Sequence, residues 1–582
     1  MRKLKNVLAI VLSLVTAFML TACGGKGGGS SVESREPVKE GDAYVLTIYR
    51  SRDSGMTDGE RDDEVKKAIE DKFFADTGIK ISLDVQLYTN TQIKDVVSVN
   101  FGNKNKNIDA IFHYLSEDAG SSITGYAKDK DSTINLDPVL EEHGQNILAK
   151  IAENDTNGLA RRSGYFTDGE SFYRSALASF CREGGFGILV RKDLMRNVMD
   201  KTGLDPEDYD ITNDNFQHMT VSQFEDVMEA IRDAENDVVI PVTGAPWDLQ
   251  RVVATAFGVN AMSGYGLDSD GKLVPAQFTP NWDKYVDVMY RWSSTGVWEK
   301  ESNNTTDDQR QTNFIHGRAA AYMAYPTAEQ LINLSRKVYA NDSSAELMVI
   351  APFACEDAHG QPLVKDGEVV VNGNLKTNRS FYGGIVPYNS ANYEILIQYI
   401  DWMYSSAENY ELCLYGVKGV DWVDGEDFTY GGNTYKTWRY PDDKADEYLM
   451  KPPYTGKYML LQNINVSNRI SGHYNTVEKK WFTSLYFDFP QYGDVSIEGI
   501  WQPSAPRNYS AIASALDGNY VEAIRSYAWA GRMTTSVNGN SITPIERLYE
   551  HITEYRASAK EYLDYVNEQF LKSKSYFDQL FN

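Results

Sequence analysis

The sequence predicts an α/β protein of two or more lobes, on three observations. Short apolar runs suited to buried strands alternate with amphipathic helical stretches from about Val45 to Phe112, and such alternation implies parallel strands joined by right-handed crossovers. The same alternation starts again at Phe186. The chain is 582 residues long, more than one hydrophobic core supports.

Each element has its own signal. Val45 to Tyr49 is a short apolar run, as for a strand buried on both faces. Asp63 to Phe74 places Val65, Ile69 and Phe73 on one side of a helix that Gly78 stops. Ile81, Leu83, Val85 and Leu87 alternate with Ser82, Asp84 and Gln86, the period of a strand. Helical spacing at Ile93 and Val97 leads to a buried strand over Ile108 to Phe112. In the second series, Phe186 to Val190 is a strand, and Thr220 with Gln223 forms a capping box. Phe224, Val227, Met228 and Ile231 then mark an amphipathic helix. Val238 to Val242 and Ala319 to Ala324 read as strands, and Tyr285 to Trp292 and Tyr393 to Tyr404 as helices. From Asp421 to Pro506 periodicity fades into Tyr- and Trp-rich irregular structure with short strands, and Pro544 to Phe581 is helical again.

The N-terminus reads as an export signal. Arg2, Lys3 and Lys5 precede an apolar stretch from Val7 to Leu20, shorter than the ~20 residues a membrane-spanning helix needs. Leu20-Thr21-Ala22-Cys23 resembles the lipobox of bacterial lipoproteins. That resemblance implies removal of residues 1–22 and a lipid on Cys23, which would hold the protein on the extracytoplasmic face of the cell membrane. Residues 23–42 begin with a Gly/Ser-rich run and form a flexible tether.

Composition excludes several classes. A net charge of −25 argues against nucleic acid and against anionic ligands recognised by charge alone. Cys181, Cys355 and Cys413 are odd in number and widely spaced, which favours free thiols over a disulfide framework. There is no HExxH, no GxSxG and no Walker loop, so neither an enzyme nor a resident ATPase is indicated. Asp268-x-Asp270-Gly271 lacks the closing Glu of an EF-hand and reads as a hairpin turn. Asp210, Asn213, Asp214 and Asn215 make no better calcium loop. No cofactor and no metal is expected.

Several local patterns occur in a telling order. They are Thr77-Gly78-Ile79, Asn107-Ile108-Asp109-Ala110-Ile111, Asn135-Leu136-Asp137 with Leu140-Glu141, the run Ile188 to Leu194, the run Asn313 to Ala320, and Gly383-Gly384-Ile385. Together, over roughly residues 43–420, they resemble the extracellular solute-binding proteins of carbohydrate-type ABC importers (family 1), although Asn107-Ile108 replaces the family's usual proline. The resemblance implies a periplasmic-binding-protein-like fold: two lobes of discontinuous chain, joined by a hinge, with a ligand cleft between them. The N-terminal lobe is expected at 43–178 plus about 326–382. The C-terminal lobe is expected at about 179–325 plus 383–582, including a C-terminal extension. Crossings are expected near Ala176–Cys181, Tyr325–Thr327 and Tyr382–Gly384. The implied function is capture of an oligosaccharide by a monomer that delivers it to the permease subunits, without catalysis.

Sugar rings expose C–H patches that stack on Trp or Tyr, each stack contributing ~2 kcal/mol, and polar side chains then orient the hydroxyls. Aromatic and charged residues at strand ends or crossings are therefore the candidates: Tyr114, Trp247, Tyr325, Tyr382, Arg52 and Arg379; Trp422 joins them because Gly419-Val420-Asp421-Trp422 resembles a segment of that family. Arg50 and Asp53 also end the first strand, and Phe381 precedes Tyr382. Trp292 and Trp402 lie in helical apolar patterns and belong to the core, while Trp501 stays open. Two alternatives stand beside the oligosaccharide reading: a peptide-binding importer receptor, and a surface glycoside hydrolase with two working carboxylates.

Overall fold

The computed structural model describes residues 36–488 together with short pieces beyond them. It leaves out 53–56, 102–106, 116–122, 154–163, 168–171, 180–186, 235–237, 260–264, 276–278, 300–304, 325–327, 376–381 and a few single positions within that range. The export signal, Cys23, most of the tether, Cys181, Trp501 and nearly all of the expected C-terminal helix lie outside the described residues.

In chain order the principal strands are β1 (Ala43–Ser51), β2 (Ile81–Tyr88), β3 (Ala110–Tyr114), β4 (Ala176–Ala178), β5 (Gly187–Arg191), β6 (Val242–Gly244), β7 (Ala321–Ala324), β8 (Leu347–Ile350) and β9 (Tyr382–Ile385). The principal helices are α1 (Asp62–Thr77), α2 (Asn90–Phe101), α3 (Val221–Arg232), α4 (Pro246–Ala256), α5 (Trp282–Thr295), α6 (Asp307–Ile315), α7 (Ala328–Asn341), α8 (Tyr393–Tyr404), α9 (Ala407–Tyr415) and α10 (Thr476–Thr483).

The first lobe follows the opening pattern closely. α1 starts with Asp62, Asp63 and Glu64, whose charges suit the positive end of a helix. It buries Val65, Ile69 and Phe73, and Gly78 ends it at φ 75, where a glycine is favoured. β1 lies between β2 and β3 and is parallel to both, with Ile48 level with Val85 and Ala110. One face of this sheet carries Leu46, Ile48 and Phe112 against Phe73, Leu396 and Tyr399. The other carries Tyr49 and Ile111 against Ile93 and Val97. A strand covered on both faces has no polar side to alternate, which is why β1 reads as an unbroken apolar run.

The sheet is mixed rather than purely parallel, a correction to the expectation. β9 returns from far along the chain and runs antiparallel between β3 and β4. The gap it fills is narrow. A Cβ at Gly383 would lie 2.3 Å from the Leu177 carbonyl oxygen, and one at Gly384 would lie 2.3 Å from the Phe112 ring.

The second lobe is built on the sheet β8-β5-β7-β6, in which β7 is parallel to β6 and antiparallel to β5. Ile188 and Val190 pack with Phe224, Trp292 and Met323, while Leu189 faces Tyr322, Leu331 and Trp481. The capping box at Thr220 and Gln223 forms as expected and starts α3. Trp292 and Trp402 are core residues, and Tyr265–Leu267 and Leu273–Pro275 form the hairpin expected at Asp270. β6 spans only Val242–Gly244, not 238–242. Pro241 has no N–H to give a neighbouring strand; its carbonyl accepts from Ala320 and Ala321 instead. Cys355 and Cys413 are free thiols. Burial pushes Cys413 up to about 12, so it is not a reactive thiolate at neutral pH.

The lobe boundaries differ from those expected. α7 and β8 belong to the second lobe, where β8 pairs with β5 and Leu331 and Val349 share one core. β9, α8 and α9 belong to the first, where Ile397, Tyr399 and Cys413 pack with Ile48 and Phe73. The chain therefore passes between lobes after β4 and between β8 and β9, and later segments alternate: Cys413 packs in the first core, Phe428 and Tyr435 on the second, Tyr454 to Leu461 in the first and Ile470 in the second. No lobe crossing separates β7 from α7, so the one expected at Tyr325–Thr327 is not made.

Gly384→Ala should destabilise the protein by ~1–3 kcal/mol, the usual range for forcing atoms into a filled core. Urea unfolding measures it; a change below about 0.5 kcal/mol would contradict the tight passage of β9.

Candidate functional site

Ligands of open α/β sheets bind outside the carboxyl ends of the strands, and the strand order brings those ends of the two sheets together. β4 is parallel to β3 and ends at Ala178, on the carboxyl edge of the first sheet. β5 is antiparallel to β7, so its first residue, Gly187, lies beside Ala324 on the carboxyl edge of the second. Ala178 and Gly187 are nine positions apart in the chain, and an extended chain of nine steps reaches at most ~30 Å. β8 likewise leaves the second sheet on that edge, at Ile350, and β9 begins on the carboxyl edge of the first, at Tyr382.

The first-lobe edge carries a connected set of side chains. Tyr382 pairs with Tyr114 in register, and their rings meet edge to face at 6.4 Å. Arg50, on β1, is only 3% exposed. Its guanidinium keeps its charge in any protein environment, so burial demands acceptors. It finds three: Nε donates to the Tyr382 hydroxyl at 3.2 Å, and one terminal nitrogen donates to the carbonyls of Gly456 and Lys457 at 2.8 and 3.0 Å. The Tyr382 hydroxyl in turn donates to the Phe112 carbonyl at 3.3 Å. Tyr382 is thereby fixed with its ring half-buried on the edge. Arg52 pairs with Asp58 at 2.9 Å.

The second-lobe edge is set by Gly244. It ends β6 at φ 154, and a Cβ there would sit 2.5 Å from the Met323 carbonyl oxygen. Ala245 is extended and Pro246 is the first residue of α4, a position where a proline costs no hydrogen bond. Trp247 thus lies in the first turn of α4, and Asp248 beside it is buried. Thr243 donates to Glu299 Oε1 at 3.1 Å. Tyr322, level with Thr243, has its phenol held well above the usual range by burial.

Of the sequence candidates, Tyr114 and Tyr382 come together and Arg52 lies close by in the chain. Trp247 is on the opposite lobe's edge. Tyr325, Arg379, Phe381 and Asp53 lie outside the described residues. Trp422 is a correction: it is 1% exposed, and its indole N–H donates to the Gly416 carbonyl at 3.1 Å. Tyr415 packs against it at 5.4 Å, and Arg469 and Lys418 lie 5.0 and 5.2 Å from its ring. No ring face is left for a ligand. Among the described residues no group of acidic, His and Cys side chains is arranged to hold a metal ion, and no helix is long and apolar enough to cross a membrane. Glu299, Thr243 and the carbonyls that hold Arg50 carry no local signal in the sequence; they are assembled by sheet pairing and by a contact across about four hundred residues.

No protein-family model and no curated protein matches the chain. Solved structures do. The N-glycan transport solute binding protein NgtS from Streptococcus pneumoniae matches at 13% identity and TM-score 0.57, covering 91% of this chain and 99% of that one. An HMO-binding, ABC-transporter-associated solute binding protein from Bifidobacterium longum infantis matches at 12% identity and TM-score 0.59, covering 92% and 99%. The alginate-binding protein AlgQ2, solved without calcium ion, matches at 13% identity and TM-score 0.55, covering 91% and 98%. The chain has the two-lobed fold of these solute-binding proteins, as the sequence patterns implied.

Trp422→Ala should cost ~3–5 kcal/mol of stability, as for emptying a filled aromatic site. A loss within ~0.5 kcal/mol in urea unfolding, the range of exposed positions, would contradict this placement.

Proposed function

We propose that this protein is the membrane-anchored solute-binding component of an ABC importer, and that it captures an oligosaccharide between its lobes and delivers it to the permease. The observation that carries the reading is the fold shared from end to end with solute-binding proteins whose names specify glycans. The tyrosine pair at the carboxyl edge of the first lobe supports it. Tyr382 and Tyr114 offer flat apolar surface for sugar rings, and Arg50 holds Tyr382 in place without being spent on the ligand. Trp247 stands on the facing edge, so a sugar between the two would draw the lobes together by hinge closure, with the cargo's own contacts favouring the closed form. Arg52, the residue that follows β1, extends the first-lobe wall.

The N-terminus gives the receptor its location. A lipid on Cys23 holds the mature monomer at the outer face of the membrane, and the tether raises its local concentration at the permease. Import energy comes from the transporter's ATPase; the receptor binds and releases its cargo unchanged.

A thermal-shift screen of the protein lacking residues 1–30 against oligosaccharides and peptides tests this. A bound oligosaccharide at a hundred times its dissociation constant adds ~2.7 kcal/mol of stability, and Tyr382→Ala weakens it about 30-fold, the loss of one ~2 kcal/mol stack. A shift with peptides alone, or release of cleaved sugar, would overturn the proposal.

A further inference from the structure

The two carboxyl edges differ in charge. On the first-lobe edge Arg50 is engaged by Tyr382 and two carbonyls, and Arg52 by Asp58. On the second-lobe edge Asp248 and Glu299 are buried carboxylates. Glu299 is the more telling. Trp298 bridges Val242 in parallel, and the Val242 N–H donates to the Val297 carbonyl at 2.9 Å. The segment 297–299 therefore runs along the outer side of β6 and sets Glu299 level with Thr243, one residue before the strand's carboxyl end. Glu299 is 6% exposed; its Oε1 accepts from Thr243, but its Oε2 is buried and has no hydrogen-bond partner. A buried acceptor left unsatisfied is costly, and native structures keep few without a reason.

We infer that the cargo is a neutral oligosaccharide, and that Glu299 selects it by accepting a sugar hydroxyl on its unpartnered oxygen while repelling acidic sugars. This rests on the oligosaccharide reading and narrows it to one chemical class. A hydroxyl supplies the missing donor. A uronate or other acidic sugar would bring a second negative charge to a desolvated carboxylate, in a chain of net charge −25. Of the described arginines of the facing edge, Arg50 is buried against its own acceptors and Arg52 already has Asp58 as a partner.

Calorimetric titration of the purified protein decides it, with two panels of matched length. The neutral panel is Man5GlcNAc, kestose and maltopentaose; the acidic panel is oligogalacturonate and oligoalginate. A neutral member should bind at least 100-fold more tightly than any acidic one, and Glu299→Gln, which removes the charge and keeps an acceptor, should narrow that ratio at least tenfold with an unchanged urea midpoint. Glu299→Leu should lower neutral affinity at least tenfold. Acidic binding equal to neutral overturns this inference alone. So does an unchanged ratio in Glu299→Gln, or a Glu299→Leu protein that is more stable and binds as before, since the carboxylate would then be only a core defect. Silence from both panels overturns the oligosaccharide reading and this inference with it.

Discussion

A strand with no side chains in its middle holds the first lobe together. β9 must pass between β3 and β4, and at Gly383 and Gly384 there is room for backbone alone. That passage returns the chain from the second lobe, completes the first sheet and delivers the apolar helix α8 to its face. It also sets the position of Tyr382. Because Gly383 and Gly384 lock the register against His113 and Phe112, the residue before them falls beside Tyr114 and within reach of Arg50. The candidate ligand wall is thus a consequence of how the sheet closes.

A second constraint works at the last crossing. Arg469 lies where the chain leaves the first core and enters the second. Its guanidinium meets Glu411 of α9, Asp424 and the Thr437 carbonyl, with the Trp422 ring beneath it. Arg469 and Glu411 are largely removed from water, so each of these two charges depends on the other, whereas Asp424 is more than half exposed. Trp422 belongs to this knot, as packing for a buried cation. Several such passages join lobes that keep separate packed cores, the arrangement on which hinge closure depends.

The sequence made the local structure legible and left the long-range pairing obscure, for one physical reason. Periodicity and caps report on neighbours a few residues apart, so α1, its Gly78 stop, β2, the Thr220 cap and α8 could all be read from residues within one turn or one strand. Nothing in α7 or β8 states which sheet they join; the lobe expected for them came from the family resemblance, and strand pairing and core packing put them in the other. Trp422 is a similar case. The resemblance of Gly419-Val420-Asp421-Trp422 to a family segment is local, and only the arrival of Arg469 and Tyr415 buries the ring. Tyr114 and Tyr382 were placed on the edge correctly because a strand end is itself a local feature. Arg50 was visible only as a residue at a strand's end; its carbonyl partners come from a distant segment.

The central claim is that two lobes with separate cores close on a sugar held at their carboxyl edges. Small-angle X-ray scattering of the protein with and without a bound oligosaccharide tests it most directly. The account predicts a smaller radius of gyration on binding, reversed when the sugar is removed and much reduced in Tyr382→Ala at the same sugar concentration. Tight binding with no contraction, unaffected by that substitution, would contradict it.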